Sequence, residues 1–310
     1  MNRIFPFVLL AGIAGCASTY VKTAGDFAST TSDSVKGLQP ASGFRGTLCH
    51  DSARFDYAFH RLKGPVVNPQ TQKPVSIVDY EQVYPYMDGG ESWSKLCAEH
   101  DVSDKVVANA LGALGSYADA LAKLTSDDFP GKNIASLATS ASALAKQISA
   151  DSKASKVAAS LADPISSIAG AIATQYKRHA IAEVVAKNDA AIARLIGGVG
   201  DYLAAVGEES QLARHNLGDA LKAADAGMAA GDVLAYVALA TQWTNELDDL
   251  DGAMAAARAS LAKLGDAETK LRKADGNDDA PELKDLLGDL TLILQDVQAV
   301  QTAVGGKASS

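Results

Sequence analysis

Past its first sixteen residues the chain has no long apolar run. Every hydrophobic stretch is broken by a charge or a glycine well short of the ~18 residues a membrane helix needs. The longest, near Met228 to Ala240, is interrupted by Asp232. Clustered positive charge is missing as well: no more than two basic residues adjoin, and 28 Lys+Arg against 37 Asp+Glu give a formal charge of −9. Such a balance repels nucleic acid and anionic headgroups, so neither is expected as a partner. Aromatic residues make up only 6%. With alanine abundant, that scarcity points to a core of closely spaced helices.

The motifs of common chemistries are absent too. There is no Glu-x-x-His, the ligand pattern of a di-iron bundle, and no His-Glu-x-x-His. Gly-x-Ser-x-Gly and a phosphate-cradling glycine loop are missing. His179 with Glu183, and His215 with Asp219, stand four apart in helical patterns; two ligands on one turn are too few for a metal, and a solvated pair is the expectation. Asp275, Asn277 and Asp279 begin like a calcium loop, yet Ala280 takes the glycine position and Leu286 that of the bidentate acid, leaving a polar turn. Ser92 with Lys95 and Ser260 with Lys263 match Ser-x-x-Lys without its companion elements. The chain is therefore expected not to be an enzyme and to carry no metal or cofactor.

What the sequence does hold is helical periodicity. Val107, Ala110, Leu114, Tyr117, Leu121 and Leu124 alternate steps of three and four, which places them on one helix face. The alternation recurs from Ile134 to Ile148, and through Ile181, Val185, Asn188, Ile192, Leu195, Val199, Tyr202 and Val206. It runs again from Tyr236 through Trp243, Leu247, Leu250, Leu261 and Leu264 to Leu271, passing Glu268, and lastly from Leu283 to Val304. Each seam is unstable alone and must be buried against others. Breaks at Phe129-Pro130-Gly131, Asp163-Pro164, Gly231-Asp232 and Asp275 to Asp279 ahead of Pro281 make neighbours antiparallel. The expected fold is all-α, an antiparallel bundle of about five long alanine-rich helices over residues 101–304, with residues 305–310 a disordered tail.

Two details stand out within the bundle. Gly197, Gly198 and Gly200 interrupt a strong helical pattern at ~1 kcal/mol each; close approach of a neighbouring helix is the expected reason, and a hinge is the alternative. The acidic run Glu246, Asp248, Asp249 and Asp251 reads as a solvated face, or as a docking patch for a basic partner.

Residues 44–100 read differently. Eight aromatic residues lie between Phe44 and Trp93, among them Tyr80, Tyr84 and Tyr86, together with Pro65, Pro69, Pro74 and Pro85. A short helix carrying Phe55, Phe59 and Leu62 is expected, then irregular backbone with one short strand at Val75 to Val78 and a turn at Asp88-Gly89-Gly90. Cys49 and Cys97 are expected to form a disulfide that staples this segment to the bundle; two free thiols or metal ligands are the alternative. Tyr80, Tyr84, Tyr86 and Trp93 are the candidate binding residues, since such rings on irregular backbone supply contact area at modest entropic cost. The competing reading is that they pack the segment onto the bundle.

The N-terminus supplies an address. Arg3 is followed by an apolar run from Phe5 to Ile13 and then by Ala14, Gly15 and Cys16. This ending resembles the lipobox of bacterial lipoproteins. The resemblance covers sixteen residues and implies that residues 1–15 are a signal peptide, that Cys16 is acylated, and that the lipid anchors the protein to the membrane. Ala17, where an aspartate would retain a lipoprotein in the inner membrane, implies the outer membrane, with the domain facing the periplasm or the surface. Loss of Arg3 with the signal would move the formal charge from −9 to −10. Residues 16–43 are expected to form a lipidated tether or a weak helix through Tyr20, Ala24, Phe27 and Val35. The function expected of such a chain is that of a non-enzymatic envelope scaffold or adaptor binding an envelope protein or glycan. The alternative is a membrane-remodelling or pore-forming bundle.

Overall fold

The computed structural model describes residues 18–68, 70–83, 92–126, 177–225 and 230–305. The expected helix from Ile134 to Ile148 and the breaks at Pro130 and Pro164 lie outside them, as do Cys16, Tyr84, Tyr86 and Gly89. The described residues form helices α1 (Thr19–Leu38), α2 (Phe44–Lys63), α3 (Ile77–Val83), α4 (Trp93–Thr125), α5 (Lys177–Asp225), α6 (Ala230–Ala274) and α7 (Glu282–Gly305). A 3₁₀ turn, Gln39–Gly43, links α1 to α2.

The seams read from the sequence are the core. Leu114, Tyr117, Ile181, Val185, Val206, Leu247, Leu261, Leu271, Leu286 and Ile293 are all essentially inaccessible. Helices α5, α6 and α7 pack antiparallel in sequence order. Arg272 to Asp189 and Arg214 to Asp251 tie α5 to α6, while Lys263 to Asp296 and Lys270 to Asp289 tie α6 to α7. Helix α4 runs against α1, with Gly115 beside Val35 and Gly25 beside Thr125.

Helix α1 is a full member of this bundle, not a tether. Tyr20, Ala24, Phe27, Ala28 and Val35 are buried, and so are Thr23, Thr31 and Ser34. Small side chains permit the close packing: a Cβ on Gly37 would overlap Cγ1 of Val297 on α7. The polar turn before α7 fixes the other end. Asp278 accepts hydrogen bonds from the Ser18 hydroxyl and from the Tyr20 N–H (2.9 Å), and its second oxygen takes Arg178 (2.8 Å). A carboxylate at a helix N-terminus is favoured by the orphan N–H groups and the helix dipole.

The segment expected to be irregular is more ordered than its composition suggests. Helix α2 covers twenty residues from Phe44, beyond the short helix expected around Phe55 and Phe59. The expected strand at Val75 to Val78 is replaced by one isolated bridge, Val67 to Pro74, followed by α3. Ser76 starts that helix: its hydroxyl accepts from the Asp79 N–H and donates to the Asp79 carboxylate, a local cap that outweighs the β-propensity of Val75 and Ile77.

Candidate functional site

The Cys49–Cys97 disulfide is formed, with Cα atoms 5.5 Å apart, and it joins α2 to α4. It sits in a small second core with Ala53, Val66, Val75, Tyr80 and Trp93. Tyr80 donates to Asp56 (2.6 Å) and packs edge-on against Tyr57, which bonds the Val75 carbonyl (3.1 Å). Burial pushes the Asp56 carboxyl up, but hydrogen bonds from His60, Tyr80 and Trp93 outweigh it and hold the group below the usual range. Tyr80 is 1% exposed and Trp93 6%. These two rings therefore pack the segment onto the bundle and offer a partner almost no area, which corrects their assignment as binding residues. Burying the rings costs nothing in unmet polarity for Tyr80, because its hydroxyl has found a carboxylate.

A polar junction holds α2, α4 and α5 together. The Tyr202 hydroxyl accepts the Arg45 N–H (3.0 Å) and lies 2.7 Å from Asp104, whose other oxygen accepts the Gly46 N–H (2.9 Å). Arg45 spans to Glu209 through two nitrogens. These bonds satisfy the first turn of α2, so the cluster is structural. Burial and Asp104 together raise the Tyr202 phenol above its ordinary range.

A third cluster lies inside the bundle. Glu268, 2% exposed, accepts from Tyr117 (2.6 Å), and Asn188 is fully buried on α5. Burial pushes the Glu268 carboxyl up to about 8, with the Asp189 charge adding to the rise. The group is thus neutral at pH 7 and needs no counter-ion. The exposed His215–Asp219 pair is present at 3.3 Å. Among the described residues no set of three His, Cys, Asp or Glu is arranged to hold a metal.

An open groove lies between α2 and α6, beside the end of α7. Its walls are Phe44, Leu48, Trp243, Leu247 and Leu250, with Ala303 closing one side, and its accessible volume is ≈ 110 Å³. Phe55 stacks on Trp243 (centroids 6.0 Å, planes 17° apart) and fixes the indole as a wall. Asp51, Glu246 and Asp249 form the rim. The acidic run thereby divides in two. Asp248 and Asp251 are both engaged by Arg214 (2.8 and 2.7 Å), whereas no cation among the described residues pairs with Glu246 or Asp249. The sequence marked every one of these α6 residues, Trp243 and Leu250 as seam and the acids as a run. That the run sits on the lip of an apolar groove depends on α2, whose position no local pattern gives.

The three glycines on α5 also resolve. A Cβ on Gly197, Gly198 or Gly200 would meet no described residue within 4 Å, so no described helix approaches closely there, contrary to the expected reason for them. No protein-family model, curated protein or solved structure matches the chain.

Proposed function

We propose that this chain is a non-enzymatic envelope lipoprotein, acylated at Cys16 and held at the outer membrane, that serves as a helical scaffold or adaptor for another envelope component. The observation that carries the reading is the groove between α2 and α6: an open apolar site on a braced bundle whose buried polar clusters make structural bonds. A preformed concave surface suits recognition, since little ordering is needed on binding. The surface assigned is this groove rather than the aromatic segment.

The test is crosslinking of the full-length protein in its native envelope, followed by mass spectrometry, beside a Cys16→Ser variant. A discrete partner captured by wild type, together with a diacylated Cys16 peptide that the variant lacks, supports the reading. Recovery of unacylated protein from the soluble fraction, with no specific crosslink, overturns it.

One observation favours the membrane-remodelling alternative. Within Arg178–Lys222 an 18-residue window reaches a mean hydropathy of 1.3, and 39% of it is buried. Leakage from liposomes exposed to protein beginning at Ala17 would support that alternative against the adaptor.

A further inference from the structure

We infer that the groove between α2 and α6 binds a basic amphipathic segment of a partner polypeptide, seating one apolar side chain against Phe44, Trp243 and Leu250 while flanking Lys or Arg residues meet Glu246 and Asp249. The inference rests on the adaptor reading and names its partner's chemistry.

Size and charge select that occupant. A volume of ≈ 110 Å³ compares with the ~150 Å³ of a cavity that accepts benzene, so the groove suits one aliphatic or small aromatic side chain. Glu246 and Asp249 stand three apart on α6, the spacing that puts two carboxylates on one face. Asp51 across the groove is already paired with Arg54 (3.0 Å), and Arg214 serves Asp248 and Asp251 on the other flank. Among the described residues, the lip thus keeps two carboxylates without a cation, and Glu246 accepts a hydrogen bond from the Gln242 amide (3.1 Å). A neutral glycan would leave both without counter-ions. A segment with an apolar residue between basic ones meets walls and rim together.

The probe is a fourteen-residue helical peptide of Leu and Lys alone, with a Leu/Glu peptide of the same pattern as control, titrated into protein beginning at Ala17 with its disulfide intact. Quenching of tryptophan emission reports binding, because Trp243 is in the groove wall. The Leu/Lys peptide is expected to bind saturably with strength falling as salt rises, and the Leu/Glu peptide not to bind. Two variants locate the site. Glu246→Lys with Asp249→Lys is expected to weaken binding about tenfold or more, whereas Asp201→Lys with Glu208→Lys, equal in charge change but on exposed α5 positions, leaves it within about twofold. Ala303→Phe fills the groove without altering charge and is expected to abolish binding; circular dichroism checks that each variant folds.

Equal weakening by the two lysine pairs would mean attraction to an acidic protein at large and would overturn the inference. So would a dimer of wild type that Ala303→Phe dissociates, because a second copy would then occupy the groove. The adaptor reading is judged separately by the envelope crosslinks. A partner captured equally by wild type and Ala303→Phe keeps the adaptor and removes the groove; peptide binding without any envelope partner keeps the groove and removes the adaptor.

Discussion

Tyr117 on α4 donates its phenolic hydrogen to Glu268 on α6 at 2.6 Å, in the middle of an otherwise apolar seam. The pair joins helices 151 residues apart in the chain, and the carboxyl is kept neutral by burial that pushes it up to about 8 from an ordinary 4.5. A second oxygen of Glu268 and the Tyr20 hydroxyl are buried without protein partners among the described residues.

The first prediction concerns that proton. Between about 4.5 and 8 the unfolded chain has released it while the folded chain keeps it, so this group's contribution falls as pH rises through that window and is level above it. The slope is about 1.4 kcal/mol per pH unit for one proton. Glu268→Gln keeps the acceptor for Tyr117 and removes the titration. Urea melts from pH 5 to 9 are expected to show the variant gaining on wild type by several kcal/mol toward the alkaline end; parallel curves would show that the carboxyl ionises normally.

Gly37 and Gly197 are predicted to respond to alanine with opposite signs. At Gly37 the new methyl strikes Val297, and overpacking of this kind costs about 1–3 kcal/mol. At Gly197 no described residue lies within 4 Å, so the variant gains helix propensity, about 1 kcal/mol at most. Thermal midpoints measured side by side give both signs. A loss at Gly197 would indicate that the helix must bend there, reviving the hinge.

Asp278 is predicted to anchor α1. Replacing it with alanine removes the acceptor of the Tyr20 N–H and of the capping Ser18 hydroxyl, at a cost of about 1 kcal/mol in the range of helix capping. Hydrogen bonds from Ser18 and the Tyr20 N–H hold the carboxyl below its ordinary 3.8, so its contribution is present above that value and lost as pH falls through the lower folded one. Hydrogen exchange across residues 19–25 should accelerate in the variant, and exchange that stays at the wild-type rate would mean other contacts hold the end of α1.

Much of this architecture was legible and some was not, for a physical reason. The seams of α4, α5, α6 and α7 carry their own periodicity, with Asn188 inside one series and Glu268 passed over in another. Helix α2 is longer than its sequence pattern because its start has no local signal: Gly43 offers no capping side chain. The N–H groups of Arg45 and Gly46 go instead to Tyr202 and Asp104, 157 and 58 residues away. Gly46 itself looks like a helix breaker, yet a Cβ there would run into Asp101 and Asp104. Tyr80 and Trp93 looked like contact residues because proline surrounds them; the disulfide folds that segment around a core of its own. The groove was out of reach, because it is a relation between α2 and α6.

The disulfide supports a further prediction. In the chain-entropy argument a closed loop of this size, with cysteines 48 apart, stabilises by about 4 kcal/mol. Replacing both cysteines by serine should lower stability by up to that amount and loosen the small core of Tyr80 and Trp93 first, opening residues 64–76 to limited proteolysis before the bundle melts. Cooperative loss of both cores in one step would show that they are a single unit.

The bond between Asp278 and the start of α1 has a consequence for reach. Only Ala17 separates Ser18 from Cys16, so a lipid on that cysteine would leave the folded body no leash. Helix α1 rises about 30 Å over its twenty residues, and Pro40, just past its far end, lines the groove. The groove would then stand no higher above the leaflet than about that length instead of sweeping a larger volume. A partner carried in the same membrane would meet it at high effective concentration if its own basic segment reached that height, and scarcely at all if it did not.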